Sequence, residues 1–583
     1  MIYDLLDTYR QNGQGDSMVL DNYIPKEGLY FRLYNDGRDV DELLINKDTP
    51  ATGEFYKWFK TVDFYSRLVD MNKPVDPKKK IHSNNMYSVF FKKYGGKYDS
   101  FISKEEELSP KFKENVIRYF DALENPKKEN EKLLSAYEIP DIDVEILHRN
   151  RDYILSIADW IADRVLSYDI KSDIYIKLFF DVDVSEYRRE SMRYLIPKIF
   201  NNNKHNIEAD GVVYGLSNNN MGLNEKKPYL EHKTTNYKVP FRISIDNALE
   251  SKNLFEWLEN QNDNGKSVLS GYIDIAAEDQ FTLSKDIKDE MNSHYVHLEK
   301  GMETKIDDYD FLPGITDKIQ PFRLENYLRL EEFNTEIITS RGKLETKVDE
   351  WFYNKNLVKN YYIDKVPKVK PEFTARQVDL FVISKDAMLN FFRKCDSTSL
   401  CQCIDRISLE TIKELLIINT YVFIEKSNAA KAMNLRLSML KYFKIGGKEN
   451  MGDMIKPLSE ILKGKVIDGQ LSENQVCDDD MEFYFAAGQL TRYLISLSEA
   501  QKMNYSILDP ILNAKNAEKI KMEILGLIKR YSHAIDEKSG RVNSLISMVM
   551  GYVPEVPSVV IYDAFIAGFA SKNIIYYKED VQK

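Results

Sequence analysis

The stretch Ile174–Val184, IYIKLFFDVDV, decides the fold. Its β-branched and aromatic residues predict a strand. Segments of helical period stand before it. Residues 142–167 put Ile154, Ile157, Ala158, Ile161 and Val165 on one face. Residues 110–136 open with Ser109-Pro110, a cap and first-turn pair. Nearer the start, residues 54–69 space Phe55, Trp58, Phe59, Val62, Tyr65, Leu68 and Val69 as an amphipathic helix. Gly28–Tyr34, between Pro25 and Asn35-Asp36-Gly37, reads as a strand entering a hairpin. Met86–Lys93 resumes ordered structure, and 265–283 and 376–384 predict further strands. Residues 201–237, rich in Asn, Gly and Lys, read as a long exposed loop, a length usually functional or disordered.

Beyond about residue 404 the period changes. Residues 404–443, 454–463, 480–500, 507–533 and 541–551 all carry helical spacing. Phe483, Ala487, Leu490, Leu494 and Leu497 form one stripe; Ile520, Ile524, Leu527, Ile528 and Tyr531 form another. The expected fold is α+β: a mixed, irregular N-terminal α/β body over 1–400, then a C-terminal antiparallel helical bundle over 401–583. A chain of 583 residues fits three or four domains or subdomains.

Acidic residues outnumber basic ones, 92 to 81, for a formal charge of -11. A molecule coated in positive potential is thereby excluded, but local basic tracks are not. Glycine, at 25 residues, is too scarce to favour a glycine-rich nucleotide-binding fold. The N-terminus carries acids where a secretory signal carries basic residues. No apolar run approaches a membrane span. The expectation is a soluble cytoplasmic protein with reduced thiols.

Cys395, Cys401 and Cys403 are spaced C-x5-C-x-C. Structural zinc wants paired C-x2–4-C elements and four ligands, so ordinary thiols are expected and no metal or cofactor is assigned. Asp181 and Asp183 lie two apart on the decisive strand and share a face. They read as a strand end, or as two ligands of a divalent metal in a nucleic-acid enzyme. Asp478-Asp479-Asp480 reads as a helix cap. His294 and His297 can face together on a helix, and surface histidines are expected. Phosphate-binding loops, dinucleotide fingerprints and nucleophile elbows are absent, so no catalytic residue is assigned.

Three basic segments are more informative. In Asn72–Asn85, Lys78, Lys79 and Lys80 stand beside His82, Asn84 and Asn85, cations and amides suited to phosphate and sugar oxygens. In 218–234, Asn218, Asn219, Asn220 and Asn224 can reach base edges and Lys226, Lys227 and Lys233 phosphates. There Met221 can wedge a base step or anchor the loop. In the helical region, Lys426, Lys431, Arg436, Lys441, Lys444 and Lys448 face Glu425 alone between 425 and 448. Lys515, Lys519, Lys521, Lys529, Arg530, Lys538 and Arg541 outnumber the acids between 515 and 541. Basic residues on a bundle's outer face can track a nucleic-acid backbone. A scaffold whose basic segments bind protein is the blander reading.

These segments together carry a resemblance. NKPVDPKKKIHSNN, NNNMGLNEKKPYLEHKT and FYFAAGQLTRYLISLS with LDPILNAKNAEKIKMEIL and RVNSLISMVMGY occur in order. The chain, from about residue 20 to its end, thereby resembles the large subunits of type I-B CRISPR surveillance complexes (Cascade). The resemblance implies a non-catalytic subunit beside those holding the backbone and 5′ handle of the CRISPR RNA. It implies reading of the protospacer-adjacent motif in target double-stranded DNA, help with strand opening, and docking of the helicase-nuclease. Guide pairing would read the remaining sequence. The C-terminal bundle would resemble the complex's small subunit, which in related systems arises from an internal start; Met433, Met439 and Met451 are candidates. Carried onto this chain, Asn218, Asn219, Asn220, Met221, Asn224, Lys226, Lys227 and Lys233 would read the motif. Lys78, Lys79, Lys80, His82, Asn84 and Asn85 would hold guide RNA or DNA backbone. Lys431, Arg436, Lys441, Arg492, Lys519, Lys529 and Arg530 would guide a strand along the bundle.

Overall fold

The computed structural model describes residues 1–12, 15–34, 40–93, 101–103, 107–125, 133–135, 137–170, 173–201, 203–217, 219, 242–263, 266–276, 281–287, 290–301, 304–363, 373–418, 423–468, 476–498 and 505–577. The chain forms two compact units, Met1–Asp286 with Asn292–Phe311, and Leu312–Lys583 with Ile287–Met291. The expected boundary near 400 falls inside the second unit. There Phe322, Leu344, Phe381 and Leu400 share one hydrophobic core with Leu490 and Phe565.

The first unit opens with helices α1 (Ile2–Asn12) and α2 (Asp16–Asn22). Its main sheet joins β1 (Gly28–Leu33), β2 (Asp41–Ile45), β3 (Ser88–Lys92) and β4 (Tyr175–Phe180) in the order β2-β1-β4-β3. The decisive strand is thus central, parallel to β1 and antiparallel to β3. Both of its faces are covered. Phe59 of α3 (Glu54–Ser66) meets Tyr30 and Phe179 on one side. On the other, Phe112 of α4 (Pro110–Glu124), Tyr153 of α5 (Val144–Ser156) and Trp160 of α6 (Ala158–Leu166) meet Phe91, Phe180 and Phe31. The expected 142–167 helix is therefore two helices, broken at Ile157, and the 110–136 helix ends at Glu124.

Period-2 geometry points Lys177 into a covered face, where it is 3% exposed. Its ammonium is matched by Asp63 of α3 at 2.5 Å and by the Tyr30 hydroxyl at 2.9 Å. Tyr23 donates to the same carboxylate at 2.7 Å. A buried charge needs such a partner.

After β4 the chain enters α7 (Val184–Lys198). The expected loop over 201–237 begins instead with a 3-10 turn, Asn203–His205, and a hairpin of β5 (Ile207–Ala209) and β6 (Val212–Gly215), which pairs β7 (Ile243–Ser244). Helix α8 (Ile245–Glu259) follows, then β8 (Asn262–Asp263) and β9 (Lys266–Ser267). β10 (Ser270–Asp274), β11 (Leu283–Ser284), β12 (Met291–Lys300) and β13 (Thr304–Ile315) form a second sheet in the order β11-β10-β12-β13. His294 and His297 lie on β12, not on a helix, and both are buried. Three residues apart on a strand puts them on opposite faces. His294 bonds Thr8 and Tyr309, each at 3.0 Å, and His297 bonds Ser270 at 2.6 Å.

The second unit begins with the β14 (Lys318–Leu324) and β15 (Glu336–Ser340) hairpin and α9 (Arg341–Tyr353). The strand expected at 376–384 is part of a helix, α10 (Ala375–Lys394). Thr374 and Gln377 close a capping box, each side chain bonding the other's backbone N–H, which overrides the β-prone VDLFVI run. Then come α11 (Thr398–Ile417), α12 (Asn428–Tyr442), α13 (Met451–Ile455), α14 (Leu458–Lys463), α15 (Asp480–Ser496), α16 (Asp509–Leu512), α17 (Ala517–Tyr531), α18 (Gly540–Gly551) and α19 (Tyr562–Ala570).

Asp479 caps α15, accepting the Glu482 N–H at 2.7 Å. The expected single stripe on this helix understates it: Met481 to Ile495 are buried on every side. A helix buried all round is a central one. It crosses α19, which runs in the same direction, through two glycines: Asp480 at its start meets Glu555 and Val556, and Ser496 at its end meets Tyr576. A Cβ on Gly488 would stand 2.1 Å from the Phe565 carbonyl oxygen, and one on Gly568 2.1 Å from that of Phe485. Among the described residues no helix is long and apolar enough to cross a membrane.

Candidate nucleic-acid interface

The first basic segment is a built turn. Asp76 is fully buried and its carboxylate accepts the N–H groups of Lys78 (3.1 Å), Lys80 (2.6 Å) and Ile81 (3.0 Å). Arg118 of α4 grips both oxygens, at 2.7 and 3.1 Å. Burial alone would raise the Asp76 pKa, but Arg118 and these N–H groups hold it below the ordinary value. Lys79 sits in the left-handed region at φ 56°. The turn thus faces inward through a carboxylate and outward through Lys78 and Lys79, both exposed, with Lys80 half-buried.

His82 does not serve as a free cation. Its Nε2 bonds the Lys79 carbonyl at 3.0 Å, and a carbonyl only accepts, so Nε2 carries the proton. Nδ1 then accepts from the Tyr175 hydroxyl at 2.9 Å. Burial lowers its pKa, favouring this neutral form. Asn84 and Asn85 are buried and also internally engaged, contrary to the expectation that they meet a nucleic-acid backbone. Asn84 donates to the Tyr65 and Arg67 carbonyls at 2.9 and 2.8 Å, holding the end of α3. Asn85 donates to Ser66 at 3.0 Å and accepts from the Tyr87 N–H at 2.9 Å.

The same segment is stapled to the C-terminal end of α7. Lys73 Nζ donates to the carbonyls of Lys198 (2.7 Å) and Phe200 (3.1 Å), and Lys198 Nζ donates back to Pro74 at 2.8 Å. Cations at a helix C-terminus satisfy its orphan carbonyls. Phe200 in turn bridges Ser217, at the root of the Asn-rich segment. Two segments far apart in sequence thereby start from one end of α7. Asn219 is half-buried there, its N–H 3.3 Å from Ser217 Oγ. Asn218, Asn220, Met221, Asn224, Lys226, Lys227 and Lys233 lie outside the described residues.

In the second unit the basic residues sort by burial. Arg436 is fully buried, paired to Asp563 at 2.7 Å and Asp405 at 2.6 Å. It is a core residue, not an outer-face one. Arg492 is 8% exposed and bonds Tyr505 at 3.1 Å, so it too is interior. Lys441 pairs with Asp453 at 2.7 Å and Lys519 with Glu523 at 2.6 Å, both at the surface. Lys431 is half-buried on α12. Lys529 and Arg530 are exposed on the last turn of α17.

The carboxylates of the alternative reading are separately engaged. Asp181 pairs with Arg32 at 2.5 Å, and Arg32 lies 4.1 Å over the Trp58 ring. Asp183 caps α7, accepting the Ser185 N–H at 2.8 Å and hydroxyl at 2.5 Å, which lowers its pKa. Cys395 ends α10 at φ 60°, while Cys401 and Cys403 lie on α11. Among the described residues no three or more His, Cys, Asp or Glu are grouped to hold a metal ion.

Sequence reasoning missed Asp76, Arg118 and Lys73, which build and anchor the turn. Asp76-Pro77 is itself a turn signal, and could have marked the carboxylate. No protein-family model, curated protein or solved structure matches the chain.

Proposed function

We propose that this chain is the non-catalytic large subunit of a type I-B CRISPR surveillance complex. It reads the protospacer-adjacent motif in duplex DNA, helps open the strands and helps recruit the helicase-nuclease. CRISPR RNA, the backbone and handle-binding subunits and a small subunit are its partners. The resemblance of three ordered sequence blocks supports the reading.

The observation that carries it is the Lys73 staple. It sets the lysine-bearing Asp76–Lys80 turn and the root of the Asn-rich segment at one end of α7. A fixed turn supplying phosphate contacts beside a segment supplying amides is the division of labour that motif reading needs. The resemblance implies a helical C-terminal region, and most elements of the second unit are helices.

Affinity purification with sequencing of bound RNA tests the class. CRISPR RNA with backbone-subunit partners is the expected result; partners without RNA would favour the protein scaffold. Lys226→Ala with Lys227→Ala should weaken DNA capture and flatten its salt dependence. Normal capture across salt concentrations would sink the assignment of that segment.

A further inference from the structure

The first unit holds a cavity that none of this uses. The end of α3 meets one face of α7 and one face of α8 around a small cavity of about 50 Å3. At its rim Arg188 and Asp16 form a balanced pair at 3.2 Å. Asp16 also accepts from Asn253 at 2.9 Å and Tyr65 at 3.3 Å.

Deeper in, the charges do not balance. Glu256 is shared by Arg67 at 2.5 Å and Lys252 at 2.8 Å, and all three side chains are largely buried. The neighbouring buried pair, Lys177 with Asp63, is already matched. One buried cation is therefore left over. Burial pulls the Lys252 pKa down, against the pull of Glu256. Arg67 is held rigidly, its guanidinium 4.8 Å over the Tyr23 ring and 4.6 Å over that of Phe64. Leu68, Leu195 and Leu249 supply an apolar wall.

We propose that this cavity binds the phosphate group of a nucleotide, with Arg67 and Lys252 inside and Arg188 at the rim, and the sugar and base outside its mouth. A bound phosphate would supply the missing negative charge, and preset donors favour it through charge-assisted hydrogen bonds. A free nucleotide or a phosphate in a nucleic-acid strand offers this same chemistry.

Calorimetric titration of the full chain, without guide RNA, tests the proposal independently of the function proposed above. The probes are AMP, adenosine, inorganic phosphate, and a short single strand with and without a 5′-phosphate. AMP or the phosphorylated strand should bind saturably, inorganic phosphate should compete, and adenosine should not bind. Lys252→Met removes the surplus cation and Arg188→Ala changes an exposed residue; each should weaken binding by about tenfold or more. Strand binding without AMP binding assigns the site to nucleic acid, and comparable binding assigns it to free nucleotide. Equal affinity for adenosine and AMP, absence of phosphate binding, or wild-type affinity in both variants would overturn it.

Discussion

Asp76 shows how one buried carboxylate can set the charge outside it. It takes three N–H groups and Arg118, so the lysines after it have little choice but to point outward. Asp76→Asn should destabilise the chain by about 2–3 kcal/mol, since it leaves Arg118 without a charged partner. The folded pKa lies below the unfolded one. The stabilisation is therefore present above the ordinary carboxylate range, about 4, and is lost as pH falls through the folded value. Melting curves of wild type and variant should differ at pH 7 and converge in acid.

Arg436 makes the companion case. Arg436→Ala strands Asp563 beside Asp405, and should cost the second unit about 3 kcal/mol, read by denaturant unfolding. Neither residue's role was legible in the sequence. Charge along the chain reports composition, whereas burial depends on partners such as Asp563, which is 127 positions from Arg436. Asn84 and Asn85 were misread for the same reason: an amide that bonds a helix end looks, as a residue type, like one that bonds a phosphate.

Among the elements, those with a strong local signal were legible. The hairpin at Gly28, helix α3 and strand β4 all emerge where period and turn residues place them. Legibility failed where a local signal competed with composition. The 376–384 run looks β-prone, but Thr374 and Gln377 cap it into a helix. Helix α15 showed a single stripe because its buried polar residues, Gln489 and Thr491 among them, interrupt the pattern.

The crossing of α15 and α19 rests on backbone contact, which only glycine permits. Gly488→Ala or Gly568→Ala should force the helices apart, at about 1–3 kcal/mol or more. Gly526→Ala on α17 meets open space and should instead stabilise by about 0.5–1 kcal/mol. Equal melting shifts for the three variants would refute the packing argument.

At the scale of the whole molecule, the charge of -11 is an average that hides its distribution. Many cations are spent internally: Lys73 on a helix end, Lys177 on Asp63, Arg436 on two aspartates. Others, such as Lys78, Lys79, Lys529 and Arg530, face solvent. Nucleic-acid binding through such residues should be sensitive to salt. Lys78→Ala with Lys79→Ala should reduce the slope of log affinity against log salt by roughly 2, with the fold intact by circular dichroism. An unchanged slope would remove the turn from the binding surface.

The Arg436–Asp563 pair also bears on how this chain can be divided. A shorter product beginning at Met451 would keep α15 and α19 but lose α12, and with it the only described cation paired to Asp563. Such a product would carry an orphan acid in its interior, at a cost of roughly 3 kcal/mol. At neutral pH it would depend on a basic side chain lent by another molecule.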